Sequence, residues 1–193
     1  MNRFVWIAIL FVTLQALLVL AALSPSAEFY VWYCNHILVL FSAFFFVKDV
    51  QALRGLVSVG LIPQAVWIVE ICFYLLGGTF IFGFGEYFVD IDSFFLLVMT
   101  FVSHLFSSFL VLFFIWNEKV EKKSLFYSAV YIVFLYVASL VVSEPVDNAN
   151  CVFGVCGLES VLVIPYHVYL WPVGVFVLVV LPTFYLQKYL SEK

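Results

Sequence analysis

Five consecutive residues, Trp32-Tyr33-Cys34-Asn35-His36, set a thiol, an amide and an imidazole in a row inside a hydrophobic run. Polar groups of this kind are expensive at membrane depth, where they face the interior of a helix bundle and mark functional sites. A thiol becomes an acyl acceptor when a base stands beside it. The other ionisable groups within apolar stretches that could serve such chemistry are Glu70, His104 and His167. The pattern therefore predicts one catalytic cluster, with Cys34 as nucleophile and His104 as general base. His36, Glu70 or His167 would then orient that base, following nucleophile–base–orienter logic. Cys34 and His36 are about 200° apart around a helix, so one of the two faces the cluster.

The same residue types admit metal chemistry. His36, Glu70, His104 and His167 match a zinc or iron set in ligand type. The Glu-x-x-His spacing common in bundle-core metal sites is missing.

The elements that must carry these groups follow from composition. The chain of 193 residues is 66% hydrophobic and 10% charged, with a mean hydropathy of +1.19. A soluble domain has about 45–50% apolar and about 25% charged residues. The expected fold is all-α: a polytopic integral membrane protein forming one transmembrane domain over residues 1–193. Six helices of about 20 residues fit, at 4–23, 28–47, 55–76, 93–116, 124–142 and 161–186. The first run is too long for a secretory h-region of about 7–15 residues and is followed by further spans, so it reads as a transmembrane helix. Residues 48–54, 77–92, 117–123 and 143–160 read as connections, and 187–193 as a polar tail. The eight Lys and Arg are scattered, and no basic footprint for nucleic acid exists.

Six spans put both termini on one side, together with Arg3, Lys48, Arg54, Lys119, Lys122, Lys123, Lys188 and Lys193. The opposite side carries Glu28, Glu86, Asp90, Asp92, Glu144, Asp147 and Glu159. The Lys/Arg bias makes the first side cytoplasmic. Cys151 and Cys156 fall in the exoplasmic 143–160 loop, where disulfides persist, and are expected to pair. Cys34 and Cys72 lie within spans. The expected location is the plasma membrane, and the expected partner is a membrane lipid or small molecule.

At 1.5 Å per residue, His36 lies about 12 Å and Glu70 about 10 Å from the exoplasmic surface, with His104 deeper and His167 near the start of the last span. All four occupy one half of the bilayer, which favours a shared site. Thr100, His104, Ser107 and Ser108 form a polar stripe at helical spacing. Pro63, Trp67, Glu70 and Tyr74 share a face, as do His167, Trp171 and Gly174, with Pro165 and Pro172 loosening that helix.

Cys34-Asn35-His36, Ser103-His104 and Tyr74-Leu75-Leu76-Gly77-Gly78 together resemble the YwaF-like six-span membrane proteins. The layout is also similar to the androgen-induced-protein family of fatty-ester hydrolases, with Thr on span two and His on span four. In the YwaF-like group the Cys and His of span two stand in the opposite order. The resemblance implies a lipid-modifying enzyme, an acyltransferase or ester hydrolase, using Cys34 and His104. Two other functions fit the composition: a metal-dependent membrane enzyme, and a small-solute transporter or substrate-binding membrane subunit.

Overall fold

A backbone in hydrocarbon must satisfy its own polar groups, and a chain this apolar does so by forming helices. The structure, a computed structural model, describes residues 3–22, 25–81, 83, 91, 93–145, 148–156 and 162–192, without the side chains of Glu28 and Phe106. All regular structure among them is helical: α1 (Arg3–Ala21), α2 (Ala27–Val31), α3 (Tyr33–Val47), α4 (Val50–Gly77), α5 (Phe94–Phe114), α6 (Lys123–Val142), α7 (His167–Val175) and α8 (Leu181–Ser191). A π-turn over Phe176–Val180 joins the last two into one continuous helix, His167–Ser191. Five helices are long and apolar enough to cross a membrane: α1, α4, α5, α6 and His167–Ser191. The helix α3 is also apolar but shorter. The acidic residues Glu86, Asp90, Asp92, Asp147 and Glu159 lie outside the described residues.

Local chemistry sets several boundaries. Ser26, Asp49 and Ser93 accept from the amides of Phe29, Ala52 and Leu96 and so N-cap α2, α4 and α5. Lys48, in the left-handed region at φ 60°, ends α3 by donating to the Phe44 and Phe45 carbonyls. Two residues thus turn α3 into α4, and the polar loop expected over 48–54 shrinks to Lys48 and Asp49. The last helix starts at His167, six residues later than expected, because Pro165 disfavours helical geometry at the residue before it.

The helix expected over 28–47 is broken. Trp32 adopts an extended conformation (φ −60°, ψ 128°) between α2 and α3. Nothing in the local sequence dictates this break; its cause is a long-range contact described below.

α4 is the most buried of the membrane-length helices. It approaches α6 so closely at Gly55 that a Cβ there would lie 2.7 Å from the Ser124 carbonyl oxygen. Ser128 donates across this crossing to the Gly55 carbonyl at 2.9 Å. α1 packs on α3 through Phe11, whose ring stacks on Phe45 at 5.7 Å and tilts against Phe41 at 5.8 Å. Ser42 adds a bond to the Ala8 carbonyl at 2.8 Å.

One end of the bundle gathers the start of α1, the α3–α4 corner, the α5–α6 connection and α8. Arg3 meets Glu118 at 3.2 Å and Lys123 meets Asp49 at 3.8 Å. Arg54, expected in a solvated loop, is instead one turn inside α4 and 1% exposed. Its guanidinium donates to Gln187 Oε1 (3.2 Å) and to the carbonyls of Ile115 (2.7 Å), Trp116 (3.2 Å) and Glu118. The burial is possible because the end of α5 leaves carbonyls without helical donors, and a cation suits that end of the helix dipole.

Candidate functional site

The site is built where the break at Trp32 meets α6. Trp32 is extended, so its carbonyl stands at the mouth of α3 and accepts from the Asn35 amide (3.0 Å) and from His36 Nδ1 (2.9 Å). A carbonyl oxygen can only accept, so His36 Nδ1 carries the proton and Nε2 is the basic nitrogen. Tyr131 Oη lies 2.6 Å from His36 Nε2 and donates to it. Tyr131 is buried within the bundle, whereas His36 is partly exposed. The result is a directional relay: Tyr131 O–H to His36 Nε2, and His36 Nδ1–H to the Trp32 carbonyl.

Aromatic rings frame this relay. Tyr33 sits 5.8 Å from Tyr131, and Phe134 meets His36 edge-on at 6.0 Å while stacking on Tyr131 at 6.0 Å. Tyr33 Oη donates to the Leu56 carbonyl (3.1 Å) and bonds Ser108 (3.2 Å), which links the relay to α4 and α5. Phe134 also lines an apolar groove of about 510 Å³ on α6, with Val130, Val133, Val137, Ala138 and Val141.

The α5 stripe is confirmed. Thr100, Ser103, His104, Ser107 and Ser108 are all buried, as are Gln64, Trp67 and Glu70 of α4. His104 stacks on Trp67 at 4.0 Å, and its Nδ1 donates to the Thr100 carbonyl at 2.8 Å. Ser103 donates to the same carbonyl at 2.8 Å, so its hydroxyl proton is not directed at His104. Gln64 bridges this seam, donating to Ser107 and accepting from the Ser108 amide at 3.2 Å. Pro63, expected on the inner face, is exposed, and Gln64 takes that place.

The predicted site residues are carried by several elements, each with its own contacts. His36 joins Tyr131, His104 joins Trp67, and Glu70 Oε1 accepts from the Ile81 amide at 2.8 Å. His167 is the first residue of α7, where Nε2 donates to the Cys151 carbonyl at 2.9 Å. It borders a cleft of about 510 Å³ with Asn148, Phe153, Val163 and Ile164. Cys34, half-buried, points its thiol at the Asn35 side chain at 3.5 Å. Among the described residues no three His, Cys, Asp or Glu side chains are grouped to hold a metal ion. Cys151 and Cys156 form the expected disulfide.

Sequence reasoning missed Tyr131, Gln64 and Asn150. Asn150 accepts from the Tyr33 amide at 2.9 Å and donates to the Val31 carbonyl at 2.8 Å, which accounts for the break at Trp32. A tyrosine in an apolar span reads as bulk, and an asparagine in a loop reads as turn chemistry. Only the pairing across 95 and 117 positions singles them out.

Among the described residues between the membrane-length helices, Asp49 has a carboxyl shifted by its surroundings. Partial burial raises its carboxyl, but the Tyr127 hydroxyl, the Ala52 amide and Lys123 outweigh this and hold it below its ordinary range. Comparison with protein families, with curated proteins and with solved structures returns no match for this chain.

Proposed function

We propose that this protein is a membrane-embedded enzyme that transfers or hydrolyses an acyl group carried as an ester on a membrane lipid. The observation that carries the reading is the Tyr131–His36–Trp32 relay. A nucleophile and base within about 2.6–3.2 Å, with the base oriented by a third group, is the signature of nucleophilic catalysis. Six crossings complete the topology, α2 and α3 together spanning residues 27–47, roughly 30 Å at the helical rise. Both termini are cytoplasmic by the Lys/Arg bias, and the plasma membrane is the proposed location.

In the proposed reaction Tyr131 Oη attacks the acyl carbonyl as its proton passes to His36 Nε2. The imidazolium keeps its Nδ1–H bond to the Trp32 carbonyl. The tetrahedral intermediate collapses with cleavage of the bond to the lipid alkoxide, which takes the proton from His36. Water or an acceptor alcohol then attacks the tyrosyl ester and gives its proton to His36. Tyr131 leaves and is reprotonated. The role expected for Cys34 passes to Tyr131 in this reading. Access from lipid fits the same geometry, because Phe134 both meets the His36 ring and lines the apolar groove of α6. A groove of this size, lined only by apolar side chains, suits an acyl chain.

The test is acyl release from reconstituted vesicles that contain a phospholipid with a fluorescent acyl chain. Tyr131→Phe and His36→Gln should each lower the rate by about 100-fold or more, the range of a lost base or nucleophile, while Cys34→Ala retains activity. If Cys34→Ala abolishes release and Tyr131→Phe does not, the thiol is the nucleophile and this assignment is wrong.

A further inference from the structure

The loop that follows α6 reaches back into the break between α2 and α3, and it does so through one side chain. Asn150 holds φ 54°, ψ 21°, a left-handed conformation uncommon for a residue with a Cβ. Its Oδ1 accepts from the Tyr33 amide at 2.9 Å, and its Nδ2 donates to the Val31 carbonyl at 2.8 Å and to Ser139 Oγ at 3.0 Å. Its own carbonyl accepts from Trp171 Nε1 at 3.0 Å. One residue thus ties α2, α3, α6 and α7 together.

The Tyr33 amide and the Trp32 carbonyl belong to the same peptide unit, and that unit is planar. Holding the N–H from one side fixes the direction of the C=O on the other. That C=O receives His36 Nδ1–H at 2.9 Å. The chain of bonds runs from Asn150 Oδ1 through one peptide plane to His36 and on to Tyr131. Bonds in series of this kind polarise one another. The loop is itself braced: Asn148 Oδ1 accepts from the Phe153 and Gly154 amides at 2.8 and 3.0 Å, and the Cys151–Cys156 bridge begins at the next residue after Asn150.

We infer that Asn150 is a positioning residue: it clamps the Trp32–Tyr33 peptide plane and thereby fixes the tautomer and direction of the His36 ring. The inference rests on the proposed role of His36, but its primary readout does not. Asn150 touches no reacting atom and acts only through His36.

The experiment uses full-length protein in detergent, ¹⁵N-labelled at histidine, with the His36 signals assigned by their loss in His36→Gln. Wild type should show one His36 tautomer with the proton on Nδ1. Asn150→Gly suits the left-handed backbone better than asparagine does, so the loop persists while the side-chain clamp is removed. It should show a mixture of His36 tautomers, with the Nδ1–H form reduced at least twofold. Its kcat for the fluorescent-acyl phospholipid should fall about 10- to 100-fold with little change in KM, as misplacement of a catalytic group does. Asn150→Asp keeps the acceptor for the Tyr33 amide and should restore the Nδ1–H tautomer. A wild-type His36 spectrum in Asn150→Gly overturns the inference, even if His36→Gln abolishes acyl release. If Asn150→Gly does not insert, Asn150→Asp decides: a wild-type tautomer supports the clamp and a mixed one overturns it. The spectra stand whether or not any lipid is turned over, so failure of the acyl-transfer reading is seen separately.

Discussion

Gly60 and Tyr33 offer a severe test of the packing around the relay. A Cβ built on Gly60 would lie 1.9 Å from Tyr33 Oη, 2.2 Å from Cζ and 2.5 Å from Cε1. The phenol cannot swing aside cheaply, because its hydroxyl bonds the Leu56 carbonyl at 3.1 Å and Ser108 at 3.2 Å. Gly60→Ala should therefore lose both bonds, about 1 kcal/mol each, and force about 2 kcal/mol of overpacking. Alanine returns about 1 kcal/mol through its better helix propensity. The net is a destabilisation of about 3 kcal/mol, or roughly 6–12 °C in melting midpoint for a chain of this size. The assay is thermal unfolding in detergent followed by tryptophan fluorescence, run as a double-mutant cycle with Tyr33→Ala. In the Tyr33→Ala background the clash and both bonds are already gone, so Gly60→Ala should become neutral or stabilising by about 1 kcal/mol. An equal cost in both backgrounds, or none in wild type, would refute the contact.

Three further outcomes are expected. Asp49 has a carboxyl lowered on folding, so its contribution to stability is present above the unfolded value of about 3.9 and is lost as pH falls towards the folded value; melting midpoints between about pH 5 and pH 3 should fall more steeply in wild type than in Asp49→Asn. Arg54→Lys should cost about 2 kcal/mol in detergent unfolding, since an ammonium cannot reproduce the fork that spans Gln187 and three carbonyls; a neutral result would mean the guanidinium does not hold the end of α5. Alkylation of denatured, unreduced protein should add two groups, at Cys34 and Cys72, and reduction first should add four; four without reduction would exclude the bridge.

What could be read from the sequence was what repeats along one helix. The α5 stripe is visible because Thr100, His104, Ser107 and Ser108 recur at helical spacing, and their burial follows from the cost of exposing hydroxyls to lipid. The Cys151–Cys156 pair is local and equally legible. The convergence of His36, Glu70, His104 and His167 rests on depth and on the residues that share a face within each helix. Neither fixes how one helix is turned toward another, so the Tyr131 partner of His36 and the Cys151 carbonyl bonded by His167 were not legible. Arg54 was misplaced because a charge near a helix start resembles a loop, and its acceptors come from the end of a helix about 60 residues later in the chain. Tyr131 and Asn150 carry no local signal. Their roles exist only once α6 and the loop after it are packed against the Trp32 break.

The central claim is that Tyr131 is activated by His36, and covalent labelling tests it most directly. Protein reconstituted in vesicles is treated with a long-chain alkyl sulfonyl fluoride, which modifies activated phenols, and is then digested and mapped by mass spectrometry. The account predicts a single dominant adduct on Tyr131, reduced at least tenfold in His36→Gln and retained in Cys34→Ala. Labelling concentrated on Cys34 or on the α5 serines, or an adduct on Tyr131 indifferent to His36→Gln, would contradict it.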